Sequence, residues 1–328
     1  MTYHHLNSAE RVVIANMLDA GRSQREVACA LRRSPATISR EVRRNGGRAA
    51  PYAPHLANGE ATRRRKRSRP KPKREDERLM GYVEDRLRQA WSPEQIAGRL
   101  RRIAPRNPKR WISHETIYRH VRADKRRGGK LYGCLRHGKR KYNKRYAYCP
   151  TRGRIKDRVG IEKRPDAVQL QKRCGDWEGD TMTGRAHSAH LVTLVERKTL
   201  YLRAHWVPDL KTRSVNEAIL ALLKQPGTPP VHTLTVDNGV EFSAFKEIEA
   251  GLNCNVYFTR PYCAWDKPIN ENTNGLLRQF IPKRTDLTTL TQDVVLGYVD
   301  QLNRRPRKKL NYRTPQEAVQ RYRVALRG

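Results

Sequence analysis

Three acidic residues in the C-terminal half of the sequence have types and settings that suit metal-assisted chemistry. Asp180 lies within a run typical of a strand, Asp237 directly follows another such run, and Glu271 begins a run with helical spacing. Converging carboxylates repel one another unless a cation neutralises them. Their hard oxygens suit Mg²⁺ or Mn²⁺, and two such ions about 3.5–4 Å apart can promote phosphoryl transfer. Because any chain contains many acidic triples, this spacing alone is weak support.

The elements that would position these acids follow one another in a characteristic order. Strands are predicted over Asp176–Thr183, His190–Glu196 and Tyr201–Val207, with short turns between them. The elements predicted next are a helix over Lys211–Lys224, a strand over Val231–Val236, a helix over Phe242–Ala250, a strand over Asn255–Phe258 and a helix over Asn270–Phe280. Three antiparallel strands followed by this alternation predict an α/β ribonuclease-H-like fold. Its first and fourth strands are neighbours, so Asp180 and Asp237 should converge and the last helix should bring Glu271 over them.

Residues next to the three acids have several possible roles. Asp176 and Glu178 share a strand face with Asp180, because side chains alternate along a strand with a period of two. Structural or DNA-contacting roles are favoured for both over metal binding. Trp177 is expected in the core, whereas Trp265 could either pack in the core or stack on an unpaired base.

The net charge of the 328-residue chain is +37, which indicates a polyanionic partner such as DNA, RNA or an anionic membrane surface. The charge is unevenly distributed. Residues 1–150 hold 39 basic and 13 acidic side chains, against 30 and 19 in residues 151–328. The N-terminal half is therefore expected to make the main contact with nucleic acid.

Other features exclude several classes of protein. The first residues lack the pattern of a signal peptide, and no apolar run is long enough to span a membrane. The six cysteines are scattered, as expected for reduced thiols in a cytosolic compartment. Cys134, His137 and Cys149 suggest zinc, but a fourth ligand at suitable spacing is missing and free thiols explain them equally well.

Residues 8–45 predict three short helices. Ser8 is expected to cap the first, which would bury Val12, Val13 and Ile14. Ser23 and Glu26 form a capping box at the start of the second. Two short helices joined by a tight turn, with basic side chains on the exposed face of the second helix, indicate a helix-turn-helix. Its second helix is expected to enter the major groove. An ordinary three-helix unit is the alternative.

A second helical module is predicted after a basic stretch. The run Thr62–Arg74 lacks apolar residues and is read as a linker that follows phosphates or is simply solvated. A capping box at Ser92–Gln95 and a helix beginning at Ser113 indicate a second module. The expected domains are a helix-turn-helix over 1–48, a basic linker over 49–78, the second DNA-binding module over 79–125, a basic connector over 126–165 and the catalytic domain over 166–328.

Several motifs in this order resemble one family. They are YHHL and SPATISREVRRN within residues 3–45, GDWEGDTMTG at 175–184, TLVERKTLY at 193–201, TVDNGVEF at 235–242, NENTNGLLRQFIPK at 270–283 and LNRRPRKKLNYRTPQEA at 302–318. As a set they closely resemble bacterial insertion-sequence transposases of the IS-thirty family. The resemblance implies an all-α helix-turn-helix region followed by a ribonuclease-H-like, retroviral-integrase-like catalytic domain.

The resemblance also implies roles for particular residues. It places the family's Asp-Asp-Glu triad on Asp180, Asp237 and Glu271, as catalytic residues and ligands of two Mg²⁺ or Mn²⁺ ions. The 33 residues between Asp237 and Glu271 agree with that family's spacing. Arg278 matches the basic residue usual seven positions after the glutamate, and two helical turns put both on one face.

The implied activity is Mg²⁺-dependent DNA cleavage at the ends of a mobile element, followed by attack of the freed 3′-hydroxyl on a second phosphodiester. Expected partners are double-stranded DNA, both terminal inverted repeats and target DNA, and further copies of the chain in at least a dimer on DNA. A bacterial cytoplasmic, nucleoid-associated location is expected, with no membrane partner. The residues expected to contact DNA are Thr37, Ser39, Arg40, Arg43, Arg44, Arg63, Arg64, Arg65, Lys66, Arg67, Arg304, Arg305 and Lys308.

The sequence departs from the family pattern just before the glutamate. Pro268 stands where glycine is usual, and Asp266 adds an acid near the site. Because proline fixes φ and lacks an N–H donor, an altered loop is expected here. Two alternative functions stay open, a repressor with an inactive catalytic domain and a ribonuclease-H-like nuclease that cuts without joining.

Overall fold

The computed structural model describes residues 4–45, 51–68, 72–136, 155–185, 189–261 and 263–325. The chain divides into two compact units, residues 1–72 and 73–328, which are described separately. No helix in these described ranges is long and apolar enough to cross a bilayer.

The first unit consists of four helices, one more than the sequence predicts. They are α1 (Ser8–Asp19), α2 (Gln24–Ala30), α3 (Pro35–Asn45) and α4 (Pro54–Ser68). The first three confirm the predicted helices. The linker predicted over 49–78 is wrong for α4, which buries Ala57 and Ala61. Its basic side chains other than Arg64 are exposed, so two small apolar residues one turn apart are enough to pack this helix.

A buried ion pair connects these helices. The Arg11 guanidinium lies 2.7 Å from Glu41 of α3 and also donates to the Leu6 carbonyl and to Asn58 of α4. Arg11 occupies a buried position of α1, whereas Val12 and Val13, predicted as core residues, are exposed. Ser8 is not the cap, because Asn7 forms the capping box with Glu10.

The second unit begins with a three-helix module and continues into the sheet domain. The module contains α5 (Glu77–Arg88), α6 (Pro93–Ile103) and α7 (His114–Arg126), and its core includes Val83, Ile96 and Ile117. The Ser92–Gln95 capping box is confirmed. This module packs on the C-terminal helix, Pro315–Ala325, through a bidentate ion pair between Arg99 and Glu317.

A five-stranded sheet forms the rest of the second unit. Its strands and helices are α8 (Asp166–Gln169), β1 (Asp176–Thr183), β2 (His190–Glu196), β3 (Leu202–Val207), α9 (Thr212–Leu223), β4 (Thr233–Val236), α10 (Phe245–Leu252), β5 (Asn255–Phe258), α11 (Pro268–Leu277), α12 (Gln292–Asn303) and α13 (Pro315–Ala325). The strand order is β3-β2-β1-β4-β5, with β1, β2 and β3 antiparallel and β4 and β5 parallel to β1. This is the predicted ribonuclease-H-like topology.

Two apolar clusters cover the two faces of the sheet. Trp177 on β1 points to the side covered by α9 and α10. Met182 on the same strand points to the side covered by α11 and α12. Because strand side chains alternate, Asp176, Glu178 and Asp180 belong to the α11 side.

Candidate active site

Asp180 lies within β1, and Asp237 directly follows β4, the parallel neighbour of β1. Glu178 of β1 is level with Thr235 of β4, so the same register continued by two residues brings Asp180 level with Asp237. Adjacent strands are about 4.8 Å apart. The predicted proximity of the first two acids is therefore a direct consequence of the strand order.

Asp180 has a cationic and a neutral partner, both from the helix side of the sheet. The Lys267 Nζ is 3.1 Å from Oδ1, and the Asn274 amide donates to Oδ2 over 2.9 Å. The same ammonium group donates to the Gly179 carbonyl, and the Lys267 side chain is only 9% exposed. Asp237 accepts a hydrogen bond from the Gly239 backbone N–H. Lys267 thus compensates part of the acidic charge at this end of the sheet.

A buried polar network fixes the start of α11 against β1. The Asn270 backbone N–H donates to Glu178 over 2.8 Å, and its side-chain amide donates to the Glu178 carbonyl. Arg197 forms an ion pair with the same carboxylate. Burial raises the pKa of Glu178, an effect that the nearby Arg197 opposes. Glu178 is therefore a positioning residue for the helix that carries Glu271.

Glu271 lies in the first turn of α11 and is exposed to solvent. Among the described residues, no three His, Cys, Asp or Glu side chains form a group close enough to hold a metal ion. The structure thus places Asp180 on β1, Asp237 just after the neighbouring strand β4 and Glu271 on the adjacent helix, without closing the three carboxylates into one site.

Arg278 follows α11 as its C-cap and interacts with the end of β1 rather than with an acid. Its Nη2 donates to the Thr183 carbonyl, whereas the buried Nη1 has no hydrogen-bond partner in the described part of the chain. Burial lowers the pKa of this guanidinium. Thr183 is three residues beyond Asp180 on the same strand, so Arg278 borders the acidic end of the sheet.

The departure at Asp266 and Pro268 is accommodated without loss of the helix. Pro268 occupies the first turn of α11, where a missing N–H costs no helical hydrogen bond. Asp266 pairs with Arg260 at 2.7 Å, which holds the pKa of its carboxyl below the usual range. The extra acid is thus neutralised by its own partner.

Two of the remaining neighbours are structural. Asp176 is fully buried, pairs with Arg173 and accepts a hydrogen bond from Thr233. Trp177 is fully buried, as predicted. Trp265 is instead 68% exposed, which leaves its ring accessible and excludes it from the core.

The predicted recognition helix presents a basic face beside α4. Ser39, Arg40, Arg43 and Arg44 are exposed, and Thr37 is half-buried. A groove of about 250 Å³ lies between the two helices. It is bordered by Thr37, Arg40 and Arg44 of α3 and by Arg64 and Arg65 of α4.

The other predicted DNA contacts differ in exposure. Arg63, Arg65, Lys66 and Arg67 of α4 are exposed, and Arg64 donates to Asn45. Arg304 pairs with Asp300 and Lys308 pairs with Glu94, both in solvent. Arg305 is buried. His137 and Cys149 of the possible zinc site lie outside the described residues.

Sequence reasoning missed Lys267, Asn270 and Asn274 as parts of the site. All three belong to the stretch from Lys267 to Asn274 that surrounds Glu271, and their partners lie on β1. The signal was available in the polar residues on the sheet-facing side of α11, where helical spacing alone predicts apolar ones.

Comparison with known proteins decides the family. The transposase for insertion sequence element IS4351 of Bacteroides fragilis is 38% identical over 324 residues, which cover 95% of this chain and 94% of that protein. Transposase InsI for insertion sequence element IS30A of Escherichia coli K12 is 38% identical over 97% of this chain and 84% of its own length. The chain belongs to the IS30 family of insertion-sequence transposases.

Two further similarities concern parts of this IS30-family transposase. Residues 2–45 match a family described as a helix-turn-helix domain, which confirms the predicted N-terminal motif. The catalytic core domain of BIV integrase aligns with a TM-score of 0.37 and 19% identity, over 46% of this chain and 97% of that one.

Proposed function

We propose that this transposase binds the terminal inverted repeats of its element, cleaves the DNA at the element ends and joins the freed 3′-hydroxyl to a second phosphodiester. The observation that supports the proposal is the placement of Asp180 on β1 and of Asp237 just after the neighbouring strand β4, next to the helix that bears Glu271. The reaction class is polynucleotidyl transfer, and Asp180, Asp237 and Glu271 are its proposed catalytic acids.

The donor set fits a divalent hard cation. Asp180 and Asp237 supply carboxylate oxygens, and Asn274 adds an amide oxygen that is buried without a hydrogen-bond partner among the described residues. Mg²⁺ and Mn²⁺ prefer such oxygen ligands and a few waters. We therefore propose that Asp180, Asp237 and Glu271 hold two Mg²⁺ or Mn²⁺ ions.

The chain's own residues position the reaction partners. Glu178 and Asn270 fix the start of α11, and Lys267 limits the repulsion around Asp180. Arg278 would offer Nη1, which has no hydrogen-bond partner among the described residues, to a phosphate of the element end, which a planar guanidinium matches well. When bound, divalent ions supply activation of the attacking oxygen and stabilisation of the leaving oxygen.

Recognition of the repeats is assigned to the first unit. The exposed residues of α3 would enter the major groove, while the arginines of α4 on the other side of the shared groove would contact phosphates. We expect the chain to act in the bacterial cytoplasm at the nucleoid, as at least a dimer that pairs two ends and captures target DNA.

A joining assay tests this function. Purified protein is incubated with Mg²⁺ and a duplex carrying the repeats that flank the coding sequence. We expect joined products from the wild type, and a loss on the order of 10³-fold or more in Asp180→Asn and Asp237→Asn. Glu217→Gln changes an exposed acid on α9 and should keep wild-type activity.

Three outcomes would contradict the proposal. Binding without any cut or joined product would indicate a repressor, and cut products without joining would indicate a nuclease. Retained joining in Asp180→Asn or Asp237→Asn would remove that residue from the site.

A further inference from the structure

Three arginines gather on the side of α11 that faces away from Asp180. Arg136 donates to Asn272 over 3.2 Å, and Arg305 donates to Gln279 over 2.8 Å. A Cβ at Gly275 would lie 2.5 Å from Arg136 Nη2, so this glycine allows the guanidinium to approach the helix closely. Arg307 belongs to the same group, because its charge and that of Arg136 both act on Arg305.

Two of these arginines are buried without a compensating acid. Arg305 is 2% exposed and Arg307 is 7% exposed. Nε and Nη2 of Arg305 and Nε of Arg307 have no hydrogen-bond partner among the described residues. Burial, with the neighbouring positive charges, lowers the pKa of Arg305 to about 9 and that of Arg307 to about 10.

Among the described residues, Arg305 and Arg307 have no acidic partner. The partners of Arg305 and Arg307 among described residues are neutral, the Gln279 amide and the Leu302 carbonyl. None of the residues outside the described ranges is Asp or Glu. Burying unpaired cations opposes folding, so arginine is an unfavourable side chain for a purely structural role. A neutral side chain of similar length would fill the same space at lower cost.

Helix geometry relates the cluster to the active site. At 3.6 residues per turn, Asn270 and Asn274 face the sheet, whereas Asn272 and Gly275 lie on the far side. Gln279, the partner of Arg305, follows the end of this helix. Glu271 falls between these two faces. A strand of DNA passing Glu271 would therefore meet the arginine cluster along the same helix.

We propose that Arg136, Arg305 and Arg307 form a binding site for one phosphate of the DNA strand that occupies the active site. The proposal rests on the proposed function. Exposed Arg136 forms the entrance, and the buried pair supplies the unpartnered donors. The phosphate contributes a negative charge that the described residues do not supply to Arg305 and Arg307.

The test compares stability with DNA binding in the full chain. Arg305→Met and Arg307→Met keep the length of the side chain and remove the charge. Because an unpaired buried cation disappears, both variants should melt at or above the wild-type temperature without DNA. Their affinity for a mixed-sequence duplex should fall about tenfold or more. The slope of log K against log[NaCl] should flatten by about 0.9, the share of one phosphate.

A control and a second probe complete the design. Arg213→Met removes an exposed arginine of α9, which is paired with Glu217, and should change neither property. Inorganic phosphate, compared with chloride at equal ionic strength, should raise the melting temperature of the wild type more than that of either Met variant.

Each way in which the proposal could fail gives a different pattern of stability and DNA binding. If both Met variants melt lower and bind DNA with wild-type affinity and salt slope, the arginines are structural and the inference is overturned. If phosphate stabilises only the wild type while DNA binding is the same in all proteins, the site takes a free anion, and the assignment to DNA is wrong. If the wild type itself does not bind duplex DNA, the proposed function fails as well.

Discussion

The two sides of α11 carry opposite charges, and the chain compensates them to different extents. On the sheet side, Asp180 has an ammonium partner in Lys267 and an amide partner in Asn274. On the far side, the acceptors of Arg305 and Arg307 within the described part of the chain are neutral oxygens. The acidic side is thus partly neutralised before any ligand binds, whereas the basic side is not.

This difference indicates how each side responds to its ligand. At Asp180, Lys267 already compensates part of the negative charge, so the stability of the folded state does not depend on a bound cation. An anion arriving at Arg305 meets an unpaired buried charge, so binding and stability should be strongly coupled. Substitutions on each side of the helix test this contrast.

Arg278 tests whether the acidic side also contains a phosphate contact. Arg278→Ala should lower strand joining by about ten- to hundredfold while keeping the fold and divalent-ion binding. Arg278→Lys should recover only part of the loss, because an ammonium lacks the planar fork. Joining rates, melting curves and Mn²⁺ titrations measure the three properties. If Arg278→Ala lost stability and metal affinity together, and joining activity fell only in proportion to these losses, Arg278 would be a structural residue.

Lys267 tests whether the chain itself balances Asp180. Lys267→Met should destabilise the divalent-free protein by about 2 kcal/mol, because Asp180 loses a charged partner in a largely buried setting. Denaturant unfolding measures the change. Lys246→Met, which breaks an exposed pair with Asp157, is the matched control and should have little effect. Equal stability of Lys267→Met and the wild type would show that the ion pair does not compensate the acid.

The exposed arginines of α3 provide the contrast to the buried pair. Arg40→Ala, Arg43→Ala and Arg44→Ala should leave stability unchanged. Each arginine that reads a base should cost about 1–3 kcal/mol in binding the element end. One that contacts phosphate should instead weaken all sequences and reduce the salt slope by about one. Unchanged DNA affinity and salt slope in all three variants would exclude α3 as the helix that recognises the element end.

The sheet domain was predictable because its strands follow simple patterns. The bounds of Asp176–Thr183, His190–Glu196 and Asn255–Phe258 are those expected from the sequence. Short turns and the alternation of strands with helices then determine the strand order, which places Asp180 beside Asp237.

The unpredicted features depend on tertiary contacts. The helix Pro54–Ser68 packs through two alanines, a pattern too sparse to distinguish from a linker. Val12 and Val13 are exposed because Arg11 takes the buried position and pairs with Glu41. Burial of Arg305 is equally invisible in a basic run, since composition alone suggests a solvated segment.

Binding of Mn²⁺, followed by the electron paramagnetic resonance of the free ion, tests whether Asp180 on β1, Asp237 after β4 and Glu271 at the start of α11 form a divalent-cation site. The wild type and Glu217→Gln should bind Mn²⁺ with the same isotherm. Asp180→Asn, Asp237→Asn and Glu271→Gln should each lose bound ions, and Asp237→Asn and Glu271→Gln should keep the wild-type melting profile. Wild-type isotherms in both aspartate variants would contradict the account.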